Sequence, residues 1–556
     1  MVPRPAATVI LVRDRPVGDN PAGVEVFMIR RSPSAAFVGG AYVFPGGGLD
    51  AADAFEDLAG FCAGMDDAEA SRLLEVERGG LAYWIAAIRE CFEEAGLLLA
   101  CEADGQFVDL RDPERAAEFE RWRDRIRAGE ATLADLCREH KLRLAVGQLA
   151  YFSHWITQPG RPRRYDTRFL VAPAPPEQIA AHDNSETVDH AWMPPADALE
   201  RNRRGEIELV FPTIKTLEAI AGYESAAALL DYARSPRKMP TMAPRSALGR
   251  EGRKILLPSD FAYAEVGRLD PDSLGTASCE IIPGSVVRLS DKVRRLTAPN
   301  PGVMTGPGTN TYLLGSGDAF AVIDPGPLIE SHIDAILAAT GGNVRQILCT
   351  HTHKDHSPAA IALKSRTGAI LHGMPPPPYE NQDQSFRPDR VVKHGEMIDV
   401  AGCALRVIHT PGHASNQVCY FLEEENLLFT GDHVMQGSTV VINPPDGDMR
   451  VYLDSLRLLQ HEKIDWFAPG HGFLMGKPQE VIERLLIHRL ARENKVVKAL
   501  RDAGAAGIDA LLPEVYDDVH ERLYPVAARS LLAHLQKLEY EGRATTDGSR
   551  WSLSAD

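Results

Sequence analysis

Short apolar runs broken by turn residues dominate this chain, and they change texture along its length. In the first 235 residues, strand-like runs ("ATVILV" from Ala7, "VEVFMI" from Val24, "AYVFPGG" from Ala41, "RFLVA" from Arg168) alternate with helical patterns. Two stretches there read as insertions: 51–80, rich in Ala, Asp and Glu, and 101–146, where "PERAAEFERWRDRIRAG" has the charge pattern of an exposed helix. Between 236 and 283 the periodicity thins into Pro, Gly and charge, the texture of a linker. Strands and helices resume over 284–478. The last stretch, 479–556, opens with an amphipathic pattern ("VIERLLIHRLARENKVVKAL"). It closes with a helix and a two-stranded wing turning at Asp547-Gly548. The pattern predicts a multidomain α/β protein: residues 1–235, a linker, 284–478, and a small C-terminal domain.

Length and composition agree with that division. A chain of 556 residues exceeds what one core holds, so three or four units are expected. With 44% hydrophobic and 25% charged residues it is ordinary for a globular protein. A net charge of −17 argues against broad phosphate-backbone binding and leaves room for a local basic patch. Eight scattered cysteines without a C-x-x-C pair read as free thiols in a reducing compartment. The N-terminal apolar run closes at Arg13-Asp14, too short for a signal core, and no stretch is long enough to span a bilayer. A cytoplasmic protein with no membrane partner is expected.

Chemistry enters with "ILCTHTHKDHSPAA", an apolar run from Ile347 ending in three histidines and an aspartate. Other apolar runs end in the same way, at Asp324, His413, Asp432 and His471, each beside Gly, Pro or a polar turn. If these runs are neighbouring strands, their carboxyl ends converge on one edge, where sites are commonly built. Imidazoles and carboxylates suit zinc. His351 and His353 lie two apart, while Asp355 and His356 leave on another heading, so one loop can feed two ions. Two ions about 3.5–4 Å apart can hold the attacking and the leaving oxygen together.

The H-x-H-x-D-H run, with the later T-P-G-H, G-D-H and P-G-H-G, resembles the metallo-β-lactamase superfamily over about residues 286–476. The resemblance implies a four-layer αββα fold and two Zn²⁺. His351, His353 and His413 would hold one ion; Asp355, His356 and His471 would hold the other. Asp432 would bridge them, Asp324 would orient a ligand, and Asp355 would also be catalytic. Asp432 stands where the β-lactamases themselves usually carry cysteine, so the chain looks more like the thioesterase, glyoxalase II and ribonuclease branches. "PGVMTGPGTNTYLLG", "TGDHVM" and "HRLARENKVVKAL" further resemble the lactamase-like endoribonucleases, which carry a winged-helix tail. His409 and His433 each adjoin this scheme without being required by it; substrate contact and packing weigh equally. Cys349, inside a strand, reads as a small buried residue.

A second cluster lies in "IAAIRECFEEAGLLLA". On a helix over residues 82–98, Glu90, Glu93 and Glu94 share one face, with Arg89 four residues before Glu93. Three carboxylates repel unless a cation sits among them, and hard oxygen ligands favour Mg²⁺ or Mn²⁺. Arg89 to Leu97 resembles the core of the Nudix box, with Gly47 as its opening glycine and Asp53 where a glutamate is usual. Ala54 to Ile88 intervene where seven residues are normal. That insertion, "SHWITQPGRPRRYDTRFLVA", and Arg31, Ser32, Gly40 and Phe44 to Gly47 are similar to coenzyme A diphosphatases, with Ala36 in place of an expected arginine. The resemblance implies an α/β/α sandwich that attacks a nucleoside-linked diphosphate with water. Glu90, Glu93 and Glu94 would hold the metals, with Glu93 or Glu94 catalytic. Glu186 is weighed as a further ligand against a surface acid, which is preferred.

The combined expectation is a metal-dependent hydrolase of an ester, thioester or phosphodiester, fused to a Nudix domain and acting on small molecules. One alternative makes the Nudix part a nucleotide sensor for the other domain. Another makes the chain a single-stranded RNA endoribonuclease. From Glu480 onward 11 Lys and Arg face 13 Asp and Glu, so a structural or dimerising tail is preferred over RNA contact.

Overall fold

The computed structural model describes residues 2–15, 23–33, 39–54, 56–181, 187–437 and 439–554. The chain divides into two units, Met1–Arg245 and Ser246–Asp556.

In the first unit the strand Arg4–Asp14 runs parallel to Tyr165–Pro173 and antiparallel to Val24–Arg31 and Gly46–Gly48. Its period-2 pattern sends Ala7, Val9 and Leu11 to one face. There they join Phe27 and Ile29 in a core with Trp84, Ile85 and Ile88 of the helix Leu81–Ala95. The helix Ala226–Arg234 packs on Arg4–Asp14, Ala150–Ile156 and Tyr165–Pro173, giving the α/β/α sandwich. Both stretches read as insertions are folded. Phe119, Trp122 and Ile126 of Pro113–Arg127, and Leu133, Leu136 and Cys137 of Leu133–His140, extend the same core beyond Leu81–Ala95.

The segment 236–283 differs from the linker expected. Thr241–Met242 adds a parallel strand to Ala150–Ile156. Arg245–Gly249 and Gly252–Leu256 form a hairpin, and Tyr263–Leu269 is a helix. The Gly and charge that thin the pattern are the hairpin's turn and exposed face. What holds the segment is a buried ion pair between Glu265 and Arg295 at 2.5 and 2.9 Å, a long-range contact that periodicity does not record.

The second unit stacks two sheets, one of seven strands from Val286–Arg288 to Arg390–Val391, the other of six from Met397–Val400 to Met475–Gly476. Strand alternation separates three cores. Leu314, Ile323 and Leu348 meet Leu405, Val407, Tyr420 and Phe429 between the sheets. Leu313, Val322 and Ile347 face the helices Glu330–Thr340 and Ala359–Thr367. Ile408, Phe421 and Leu428 face the helix Met449–Gln460 and the start of Pro478–Ala503. This is the four-layer αββα arrangement.

The 26-residue helix Pro478–Ala503 leaves that outer layer, and its far end, at Val496 and Leu500, enters the C-terminal core with Leu512, Leu531, Leu535 and Trp551. A three-stranded sheet completes the winged helix, and its wing turns at Asp547-Gly548.

Candidate metal centre

The carboxyl ends of the strands in both sheets of the second unit carry the candidate ligands. Val344–Leu348 delivers His351, His353, Asp355 and His356. Cys403–His409 is followed by His413, Leu427–Gly431 by Asp432, and Trp466–Pro469 by His471. Parallel pairing of Ala319–Ile323 with Val344–Leu348, and of Leu427–Gly431 with Trp466–Pro469, points these ends the same way. Close approach requires glycine at Gly470: a Cβ there would lie 2.5 Å from Asp432 Oδ1 and 2.7 Å from His356 Cε1.

Two groups form. In one, His351 Nε2 and His413 Nε2 each lie 3.0 Å from His353 Nδ1. In the other, Asp355 Oδ2, His356 Nε2, Asp432 Oδ1 and His471 Nε2 sit 3.3–3.4 Å apart along their ion pairs. Asp432 joins the groups, its Oδ2 lying 3.8 Å from His413 Nε2.

Hydrogen bonds set the imidazole tautomers. His413 Nδ1 donates to the Val441 carbonyl at 2.9 Å and His471 Nδ1 to the Gly308 carbonyl at 3.2 Å. A carbonyl only accepts, so Nδ1 is the protonated nitrogen and a neutral ring turns its Nε2 lone pair toward the cluster. His356 Nδ1 donates to Asp324 at 3.0 Å. Asp324 also accepts from Thr350 N at 2.7 Å and Thr350 Oγ1 at 2.8 Å, from a left-handed backbone at φ +50°.

The donor set fits divalent cations. His356 Nε2, His471 Nε2 and Asp432 Oδ1 are buried and have no hydrogen-bond partner, which is costly unless a charge sits among them. Nitrogens about 2.0–2.1 Å from a tetrahedral zinc lie roughly 3.3 Å from each other, near the spacing of the first group. Burial, reinforced by His413, pushes His353 down to about 3, and burial with His356 and His353 beside it holds His351 well below its ordinary range. Those two imidazoles resist protonation. Burial also works against charge on His471, yet Asp432 and Asp355 hold it up at about 10. Burial would raise Asp355 and Asp432, but the neighbouring imidazoles keep both well below the usual carboxylate range.

Glu90, Glu93 and Glu94, in the first unit, are arranged differently. Arg89 binds Asp53 through Nε and Nη2 at 2.9 and 3.0 Å, closing the gap left by the insertion, and donates to Glu90 at 2.9 Å and Glu93 at 3.5 Å. Glu94 accepts from Gly46 N at 2.9 Å. Gly47 lets the Glu90 carboxylate approach, since a Cβ there would meet it at 2.4 Å. Burial raises Glu90 to about 7 and also raises Glu93, each against the pull of Arg89. Among the described residues, groups of three or more ligand atoms within 4.8 Å of one another occur only in the second unit, so the glutamates are not gathered as tightly. Glu186 and Ala36 lie outside the described residues.

A family model described as the metallo-beta-lactamase superfamily matches residues 304–471. A Caenorhabditis elegans protein named beta-lactamase-like protein 2 homolog is 31% identical over 264 residues, covering 46% of this chain and 87% of its own length. Its Drosophila melanogaster namesake is 32% identical over 299 residues, covering 50% and 95%. The chain belongs to the metallo-β-lactamase superfamily.

This superfamily member carries two further modules. The model for the NUDT19 Nudix domain matches residues 64–220, and that for the beta-lactamase associated winged helix domain matches 508–551. A third relative of the superfamily domain, from Aspergillus chevalieri, is named atrochrysone carboxyl ACP thioesterase; it is 33% identical over 244 residues, covering 42% of this chain and 75% of its own. Both catalytic families are hydrolases that bind divalent metals, and the chain is an enzyme of that class. Among the described residues no helix is long and apolar enough to cross a membrane.

Several residues beside these sites escape sequence reading. Thr352 Oγ1 donates to Gln382 Oε1 at 2.6 Å, and Gln382 Nε2 to Asp446 at 2.7 Å. Asp446 also accepts from Ser415 N at 3.0 Å, tying the His353 and His413 loops together. Arg123, buried in the second insertion, donates to the Glu93 carbonyl at 3.0 Å and steadies the end of the glutamate helix. No motif marks these partners, because their spacing in sequence is arbitrary. His433 is buried with its ring 5.1 Å from Tyr452, and His409 Nε2 lies 3.2 Å from the Ser415 carbonyl. Cys349 is buried, and all eight cysteines are free.

Proposed function

We propose that the superfamily domain hydrolyses an ester or thioester with a pair of zinc ions. His351, His353 and His413 would hold one ion and Asp355, His356 and His471 the other, with Asp432 between them. The observation that carries this is the pair of ligand groups joined through Asp432, with buried Nε2 and Oδ1 atoms that have no hydrogen-bond partner. Bound cations there acidify water and polarise a carbonyl. The chain's own contribution is alignment: the Val441 and Gly308 carbonyls fix two tautomers, and Asp324 fixes a third. Asp355, the more exposed carboxylate of the group at 27%, would relay a proton during turnover. Ester and thioester substrates are favoured over phosphodiesters by the relative named as a thioesterase and by the acidic balance beyond Glu480.

The Nudix domain is read as a diphosphatase of a nucleoside-linked compound of the coenzyme A type. Glu90, Glu93 and Glu94 would hold Mg²⁺ or Mn²⁺, and Glu93 or Glu94 would take the proton from water.

Metal analysis with a substrate panel tests both readings. Wild-type protein is expected to retain about two zinc ions per chain and to cleave thioesters or esters. His413→Ala should lose at least one ion and a thousandfold or more in kcat/KM. Zinc-loaded wild type that cleaves no member of an ester, thioester and phosphodiester panel overturns the reading of the larger domain. Cleavage of single-stranded RNA alone would favour the endoribonuclease.

A further inference from the structure

Beside the metal centre lies a cavity of about 480 Å³, within the size range of small-molecule sites. One of its walls is His471, and Phe473 stands two residues farther on. Met435, three residues past Asp432, lines another side, and Met304 a third. The outer wall is built by the folded segment that sequence texture reads as linker, through Phe261 and Cys279.

That wall is fixed to the catalytic domain. Glu265 receives both Nη groups of Arg295 and the Leu474 amide at 2.7 Å. Gln436 Nε2 donates to the Phe261 carbonyl at 2.9 Å while its Oε1 accepts from Phe473 N at 2.9 Å. Ala247, Leu256, Ala262 and Val266 form a small core against which Phe473 packs. The segment therefore shares hydrogen bonds and apolar contact with the strand end that carries His471.

The lining is apolar where it could have been polar. Phe261 is 60% exposed and Met304 49%, although solvent-facing positions of this size seldom carry such side chains in a cluster. Two methionines and two phenylalanines around one opening suit a flexible hydrocarbon, since thioethers adapt to irregular shape. Among the described residues that line the cavity, Arg250 and Glu280 carry the charges besides the imidazole of His471; the two pair with each other at 2.7 Å, so the described lining offers no unpaired charge to a polar tail.

We infer that this cavity receives the hydrocarbon tail of an acyl ester or thioester, and that the segment Ser246–Ile281 sets acyl-chain preference. The inference rests on the two-metal hydrolase reading and adds its substrate class: an acyl group with a medium-length apolar chain. The reaction is hydrolysis: water adds to the acyl carbon, the bond to sulfur or oxygen breaks, and the leaving atom takes the proton.

Two arms test it on the full-length, zinc-loaded chain. The first measures kcat/KM on acetyl, butanoyl, hexanoyl and octanoyl thioesters. A gain of about three- to fourfold per methylene is expected until the cavity is filled. The slope should flatten in Met435→Trp, which fills the cavity, and weaken in Phe261→Ala, which opens it without touching the buried Glu265 anchor. The second arm reads binding of octanoate and acetate by calorimetry, with no need of turnover. Octanoate should bind at least tenfold more tightly than acetate to wild type and lose that advantage in Met435→Trp. Thioester hydrolysis with no dependence on chain length, or equal binding of the two acids, overturns the tail-binding role and leaves the hydrolase reading standing. Tighter octanoate binding without any thioester or ester hydrolysis supports the cavity and overturns the hydrolase reading.

Discussion

Asp324 holds a left-handed backbone conformation that a non-glycine residue adopts at a cost, and its carboxylate collects three donors. The return is a fixed orientation of His356. Asp324→Ala is expected to lower affinity for the ion at Asp355, His356 and His471 by about 10–100-fold. Competition with a zinc-binding dye measures it, with circular dichroism confirming the fold. Unchanged affinity would show that His356 is oriented by packing alone. At this scale most of the site was legible. The superfamily's motifs mark His351, His353, Asp355, His356, His413, Asp432 and His471 as candidate ligands, and the fold gathers their ligand atoms into two groups of three and four. Thr352, Gln382, Asp446 and Arg123 carry no such mark, because hydrogen-bond partners are chosen by distance in space and leave no period in the chain.

Elements were legible where their pattern was local. The adjacent apolar pairs Ile347-Leu348 and Val407-Ile408 follow directly from burial on both faces of a packed sheet, one residue of each pair entering each core. The helix Pro478–Ala503 announced itself by its amphipathic period, and its partner electrostatics are a tertiary matter. Burial works to raise the Glu493 carboxyl, but His534, Lys537 and Arg543 outweigh it and hold it at about 2; Lys537 and Arg543 each lie 2.7 Å away. Because that value lies below the ordinary carboxylate value, Glu493 stabilises the fold at pH above about 4.5 and loses this contribution as pH falls toward 2. Glu493→Gln is expected to cost about 1.5–3 kcal/mol at neutral pH, since buried Lys537 loses one of its two carboxylate partners and keeps only Glu541 at 2.8 Å. It should also flatten the stability loss between pH 4.5 and 2. Urea unfolding at pH 7 and pH 3 checks both; equal losses in mutant and wild type would refute the assignment.

At the scale of the whole molecule, two hydrolase families share one chain, and their sites rest on different chemistry. His413→Ala is expected to abolish esterase or thioesterase activity while leaving diphosphatase activity within about twofold. Glu93→Gln should do the reverse, with at least a hundredfold loss of diphosphatase kcat/KM. Paired assays on the same preparations decide this. If Glu93→Gln instead alters the zinc-site activity and no diphosphatase is found in wild type, the Nudix domain acts as a sensor.

The sequence alone determined which side chains could do chemistry and how many domains carry them. Ligand type and strand alternation are properties of neighbouring residues, and they survive in one dimension. Tertiary structure alone decided that Arg89 reaches across a long insertion to Asp53. It also decided that the glutamates are gathered less tightly than the histidines, and that an apparent linker walls a cavity beside His471. Each of these depends on residues far apart in the chain, whose meeting is set by the packing of whole layers and by buried charge pairs.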